Sequence, residues 1–521
     1  MWGSDVQDSE PTPVADRIRL FAPLGAVIAI SAAVLFVVAI RRGSSWVDEA
    51  FYAEPARVLS AELRLADPMF GSVRGLDRTF ALQPPGSFLV GAAFFELFGF
   101  GMHQVRLLAA LECVLATVLV FATTRAASVG TRAERVGFAT VAATLFATDF
   151  VLFRAATSGR PDLLAIACTL GSAVCATRGS CASSDAARWR FASGALVGFA
   201  VAVHPVAAVF APAAALTALV TAPPEARLRA VSEVVLGGVV GLAPWIVHFA
   251  THVDAWRTQF PDHVRGAHAG GPPAPFPSAW LILWRPIEHL ASLRPVTHVA
   301  LALLVGIVGG WRQGGGAMRA ALLYGLFGTL ALLPGESFFK LFVPFLYVAG
   351  CAGLSTFAGR IGRTRLVVAA GLLLAVPLVR YGHHARLALR EAAVDNAEPI
   401  DAVLRRHVPR GSRLVAEPEA YFAVRERGCA MLLPSPLHGL RFAVSESDVA
   451  EFAADLETFH PDFVLLSVER PPESVGALSG IAHFELVAAA DTRLPSAVMA
   501  RDRYHLRLYR VRYVVADHSD G

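Results

Sequence analysis

Residues able to do chemistry are few in this chain, and they stand at the ends of apolar runs. Trp46-Val47-Asp48-Glu49-Ala50-Phe51-Tyr52 places two adjacent carboxylates just beyond the first such run. Ser158-Gly159-Arg160-Pro161-Asp162 places a third acid, two residues after an arginine, at the head of another. Lys340 is the only lysine in the 521 residues, and it opens the apolar stretch Lys340-Leu341-Phe342-Val343. Charge at the edge of a bilayer is costly and marks function by default. Such a set suits attack by a hydroxyl on a glycosyl centre with loss of an anionic group. One carboxylate takes the hydroxyl proton as the new bond forms. A leaving phosphate departs already charged, so it needs no general acid, only cations and donors to hold it. Each residue also has an architectural reading. Asp48 suits a cap for the helix that follows, with Glu49 in its first turn. Arg160 and Asp162 suit a surface pair. Lys340 suits a side chain snorkelling to the interface or one binding a lipid phosphate. Spacing alone leaves these alternatives open.

The elements that must position these residues are membrane helices. The chain is 55% hydrophobic and 17% charged, with mean hydropathy +0.52. A soluble enzyme of this length carries more charge. The apolar mass falls into runs long enough to cross a hydrocarbon core of about 30 Å. Spanning helices are expected near 20–40, 104–124, 137–154, 162–178, 191–203, 206–221, 231–250, 296–311, 319–334, 340–358 and 366–381. The first, Leu20 to Ile40, is too long for a signal-peptide core and lacks a small-residue cleavage site, so it reads as a retained helix. The two runs flanking His204-Pro205 also read as one broken helix. Pro84–Gly101 is apolar but closes on Gly99 and Gly101, and it is expected to be an interfacial or re-entrant helix led in by Gln83-Pro84-Pro85-Gly86.

Orientation follows from arginine. Short loops holding Arg125, Arg132 and Arg135, then Arg178, Arg188 and Arg190, then Arg227 and Arg229, then Arg312 and Arg319, then Arg360, Arg363 and Arg365 are expected in the cytoplasm, with the N-terminal tail 1–19. The membrane domain is then 20–383, with an external loop 41–103, and residues 384–521 form an extracytoplasmic domain. That tail reads as strands at 413–417 and 463–467, alternates like further strands at 483–488 and 505–511, and has an amphipathic helix at 448–459, which predicts a small α/β fold. No Gly-rich phosphate loop opens its helix, so nucleotide binding is not assigned to it. Arginines at helix ends, rather than on one basic face, exclude a nucleic-acid partner. The six cysteines fit no metal spacing and read as buried small hydrophobes. His252, His263 and His268, with Asp262, fit no tight zinc motif, so no metal or other cofactor is assigned.

Taken together, these residues resemble the membrane-embedded GT-C glycosyltransferases, in the branch of protein O-mannosyltransferases and lipid A aminoarabinose transferases. The resemblance covers about residues 20–385 and is carried by the order of Asp48-Glu49 with Tyr52, Pro84-Pro85, Arg160-Pro161-Asp162, His204-Pro205 and Lys340. It implies a multi-pass inner-membrane enzyme with an inverting mechanism. Its donor would be a polyprenyl-phosphate-linked sugar, its acceptor a lipid, protein or glycan. Asp48 would be the general base, with Glu49 and Asp162 shaping the site. Tyr52, Arg57, Gln83, Arg160, His204 and Lys340 would bind substrate. Two departures from the aminoarabinose transferases stand out. Phe51 occupies a position where they tend to carry Arg, and Gln83 one where they carry Lys or His. Both are cations expected at the carrier phosphate, so their loss shifts weight to Lys340 and Arg160. Two rival classes remain. A transporter or envelope scaffold would need many helices but not Asp48, although no pair of Gly/Pro-broken helices marks corresponding halves. A ligase joining a lipid-linked glycan to another polymer would share the chemistry and need a wider acceptor groove.

Overall fold

The computed structural model describes residues 14–41, 47–157, 159–180, 184–267, 305–312, 315–328, 339–358, 362–394, 398–436, 444–470, 472, 475, 482–492 and 504–513. The expected span at 296–311 is described only from residue 305, and Cys181, His268 and the side chains of Asp262 and His263 lie outside the described residues. The helices are α1 (Val14–Arg41), α2 (Val47–Glu62), α3 (Gly86–Phe98), α4 (Met102–Ala127), α5 (Arg132–Ala147), α6 (Phe150–Ala156), α7 (Asp162–Gly179), α8 (Ala186–Val203), α9 (Ala211–Thr221), α10 (Arg227–Thr251) and α11 (Val253–Ala267). A short helix α12 covers 305–312. It is followed by α13 (Gly316–Gly328), α14 (Phe339–Leu354) and α15 (Arg363–Val394). Among the described residues, five helical stretches are long and apolar enough to cross a membrane: Phe21–Val38, Met102–Ala127, Pro224–Thr251, Lys340–Phe357 and Val367–Leu387.

Three expected spans differ in detail. The run at 137–154 breaks at Thr148-Asp149, where Asp149 Oδ1 accepts from the Leu152 amide and starts α6. The break after α8 falls at His204-Pro205, since proline cannot continue the hydrogen-bond ladder; a 3-10 segment Pro205–Phe210 then leads into α9. The last long helix, α15, runs through the expected domain boundary at 383/384, so a continuous helix rather than a linker leaves the membrane domain.

Close packing of α8 on α10 comes from four glycines. A Cβ at Gly194 would lie 1.9 Å from the Val234 carbonyl oxygen, and one at Gly241 1.9 Å from that of Ala195. Gly198 and Gly237 are equally tight. Small residues four apart on both helices let the backbones touch, a packing mode suited to lipid, where apolar burial alone drives little association. One apolar core runs through α4, α7, α8, α9, α13 and α14. The outer faces of α10 and α15 stay apolar and exposed, at Val235, Leu236, Val239, Val367 and Leu372 among others, as lipid-facing surfaces do.

The tail adds α16 (Glu398–His407), β1 (Arg413–Ala416), α17 (Tyr421–Glu426), β2 (Ala430–Leu432), α18 (Glu446–Phe459), β3 (Phe463–Ser467), β4 (Ala482–Thr492) and β5 (Tyr504–Tyr513). They form a sheet in the order β2-β1-β3-β5-β4. β1 pairs parallel with β2 and β3, whereas β5 is antiparallel to both β3 and β4. Helix α18 begins two residues before its expected start because Ser445 caps it in a reciprocal box with Asp448. The segment expected as the external loop, 41–103, contains α2, two 3-10 turns (Pro68–Phe70 and Val73–Gly75) and α3, which falls on the helix expected at Pro84–Gly101. Its apolar residues Leu65, Met69, Phe70, Val73 and Leu76 share one core with Leu414, Tyr421, Phe452 and Val464 of the tail. The five described cysteines are buried thiols.

Candidate active site

Asp162, the first residue of α7, is the hub. Its side chain is 1% exposed and meets two cations and a histidine. Lys340 Nζ lies 2.5 Å from Oδ2, Arg160 Nε lies 2.8 Å from the same oxygen, and His204 Nε2 lies 3.7 Å from Oδ1. Three separate elements deliver these groups: the turn before α7, the carboxyl end of α8 and the first turn of α14. Arg160 also reaches across to α2, where its Nη1 donates to Asp48 Oδ2 at 2.7 Å. The two acids are thus joined through one guanidinium. They differ in access, because the Asp48 side chain is 30% exposed. A buried carboxylate saturated by cations organises a site, while a half-open one beside it is placed to meet a substrate hydroxyl.

Asp48 does not cap α2. That helix starts at Val47, and both Asp48 and Glu49 lie in its first turn, where the helix dipole favours anions. Glu49 points the other way into the bundle. Its two oxygens accept from Arg106 Nε and Nη2 at 2.8 and 2.9 Å, with both side chains fully buried. Gly159 makes this approach possible. Its φ is +60°, and a Cβ there would meet Val105 Cγ1 at 2.6 Å and Glu49 Cγ at 3.1 Å.

Tyr52 lies one turn beyond Asp48. Gln83 Nε2 donates to its hydroxyl at 3.1 Å, and its ring stacks on Phe88 with centroids 6.3 Å apart. Burial pushes the phenol above its ordinary value, so it stays protonated at neutral pH. Tyr52, Phe88, Gly91, Phe95, Val105 and Leu108 wall a mostly apolar cleft, and Arg160 and Glu112 also line it.

The structure therefore gathers Asp48, Tyr52, Gln83, Arg160, Asp162, His204 and Lys340. Arg57 is drawn elsewhere. Its Nε and Nη2 donate to Glu54 at 2.8 and 2.9 Å, in a buried cluster between α2 and the tail. Arg106 and Glu112 escaped sequence reasoning although a signal was present, because they are charged residues inside the otherwise apolar α4. Among the described residues, no group of three or more His, Cys, Asp or Glu side chains is arranged to hold a metal ion.

The chain has the GT-C fold of membrane glycosyltransferases. Residues 82–250 match the sequence model described as dolichyl-phosphate-mannose-protein mannosyltransferase. No curated protein sequence matches the chain. Among solved structures, ArnT from Cupriavidus metallidurans bound to undecaprenyl phosphate superposes with a TM-score of 0.59 at 17% identity, over 94% of this chain and 98% of that one. The archaeal oligosaccharyltransferase AglB from Archaeoglobus fulgidus, in complex with an inhibitory peptide and a dolichol-phosphate, gives 0.51 at 13% identity, over 97% of this chain and 75% of that one. The arabinofuranosyltransferase AftD from Mycobacteria gives 0.51 at 16% identity, and there the alignment covers 93% of this chain but 40% of the larger protein.

Proposed function

We propose that this protein is an inverting glycosyltransferase that moves a sugar from a polyprenyl-phosphate carrier to a hydroxyl of a lipid, protein or polysaccharide acceptor on the outer face of the inner membrane. The observation that carries the reading is the Asp48–Arg160–Asp162–Lys340 chain at the rim of an apolar cleft. Asp48 takes the acceptor proton while the acceptor oxygen bonds to the anomeric carbon. The bond from that carbon to the phosphate oxygen breaks, and polyprenyl phosphate leaves with the electron pair. Arg160 and Lys340 supply positive charge where the phosphate gathers its negative charge, and Asp162 holds both cations at a fixed distance. Direct attack from the face opposite the leaving group inverts the anomeric configuration. The fold shared with ArnT, whose structure holds undecaprenyl phosphate, supports a carrier of this kind.

The deciding experiment incubates the purified protein with radiolabelled polyprenyl-phosphate sugars and membrane acceptors, then follows label leaving the lipid fraction. Transfer with inverted configuration, read by NMR of the product, is the expected result, and label that stays on the carrier with every sugar would overturn it. Because side-chain cations hold the phosphate in this reading, EDTA is expected to leave the transfer rate unchanged. A loss restored by a divalent cation would count against that assignment.

A further inference from the structure

The tail packs on the loop that carries Asp48, and it does so with the edge that α/β sheets use for ligands. In open parallel sheets, ligands bind outside the carboxyl ends of the strands, where the strand order reverses. Here β1 leads to β2 on one side and β3 lies on the other, so the reversal falls at β1. That edge is filled by the chain itself. After β2, the Leu433 amide donates to the Met69 carbonyl at 2.9 Å. After β1, the turn Pro418–Ala420 packs against α2. At the start of α17, the Tyr421 hydroxyl donates to Glu54 Oε2 at 2.5 Å, and Arg425 Nη2 donates to Glu54 Oε1 at 2.5 Å.

Glu54 is fully buried, and with Arg57 it receives hydrogen bonds from three residues. It sits on α2 between two groups of the site, Asp48 and Tyr52, and the tail. Glu49, on the same helix, is clamped to α4 by Arg106. Helix α2 is therefore held by two buried carboxylates, one tied to the membrane domain and one tied to the tail. Two buried anchors leave the helix little freedom to rotate, and rotation is what would swing Asp48 away from Arg160.

We propose that the C-terminal domain is a brace for the active site rather than a ligand-binding module, and that Glu54 is the positioning residue through which it fixes Asp48 and Tyr52. The kinetic part rests on the glycosyl transfer proposed above; the structural part does not. Full-length wild-type protein, E54Q and Y421F are compared by hydrogen–deuterium exchange and by steady-state transfer. Y421F removes one hydroxyl and keeps the Arg425 pair, so it carries the test if E54Q fails to fold. Both variants are expected to speed exchange in α2 while α4 and α7 stay protected. The donor KM is expected to stay within about twofold, with kcat falling about fivefold in Y421F and about ten- to a hundredfold in E54Q, since small misplacements of a reacting group cost that much. Unchanged α2 exchange in the folded variants, or exchange rising equally in every helix, overturns the brace. If wild type transfers no sugar, the functional proposal fails and the exchange comparison still decides this one.

Discussion

Asp48 and Asp162 carry the same functional group in different surroundings, and the difference assigns their roles. Asp162 is buried under Lys340, Arg160 and His204, while Asp48 shares Arg160 and stays 30% exposed. Asp48→Asn keeps the shape of the side chain and its place in the first turn of α2, so folding should be close to wild type. It removes the proton acceptor, and loss of general-base help costs about 10²–10⁴-fold in rate. Turnover within a few-fold of wild type, with an unchanged melting curve, would remove Asp48 from that role and leave Asp162 as the candidate. Glu49→Gln should behave in the opposite way. Glu49 balances the buried Arg106 charge, and breaking one partner of such a pair costs about 3–5 kcal/mol, so the variant should melt earlier even where turnover survives. Lys340→Ala should weaken donor-lipid binding by about 1–3 kcal/mol, with Lys340→Arg keeping part of it. Unchanged affinity would leave Lys340 only as the buried ion-pair partner of Asp162. These residues were legible in the sequence because charge is conspicuous among apolar neighbours. Glu54, Tyr421 and Arg425 were not, because Glu54 lies 367 and 371 positions from its two partners and each residue looks like an ordinary exposed side chain in its own segment.

Elements were legible where one force dominates. Apolar runs located the long helices, short apolar runs located β1 and β3, and period-two alternation located β4 and β5. The three-residue β2 was missed, because it is too short to alternate and is defined by its parallel register with β1. Helix α11 was missed for another reason. It sits in a stretch rich in polar residues, and what fixes it is tertiary: Gln259, fully buried, donates to the carbonyls of Arg74 and Thr79 and accepts from the Ala81 amide. The junction of the Val73–Gly75 turn with α18 makes a prediction about pH. Burial alone would raise the Asp448 carboxyl, but hydrogen bonds from Arg74 and Ser445 outweigh it and lower the group from 3.8 to about 2. A depressed acid stabilises the fold above its unfolded value, and that contribution disappears as pH falls through about 4 toward 2. A shift of this size is worth up to about 2 kcal/mol. Melting of the wild type should therefore drop between about pH 4 and 2, and Arg74→Gln should show a smaller drop because the pair is already broken at neutral pH. Equal drops in both proteins would show that the junction does not depend on this pair.

At the scale of the whole molecule, the site and the arginines of the α7–α8 and α9–α10 loops occupy opposite ends of the bundle. Helix α7 starts at Asp162 and ends beyond Arg178, and α8 starts near Arg188 and ends at His204. Asp162 and His204 meet at one end, while Arg190 Nη1 donates to the Gly179 carbonyl at the other. Arg190 also pairs with Glu233, near the start of α10, which puts the arginine-rich start of that helix at the same end. Helix α14 begins with Lys340 at the site end. Short basic loops stay in the cytoplasm, so the site end is expected to face outward. The tail has to follow, because Tyr421 and Arg425 are bonded to Glu54 on the helix that carries Asp48. A reporter that is active only outside the cytoplasm should work when fused after Gly521 and stay silent when fused after Arg190. The reverse pattern would place Asp48, Lys340 and the apolar cleft on the cytoplasmic side. A carrier presented at the outer face could not reach them there, and the proposed donor would have to be abandoned even if the chemistry of the cluster survived.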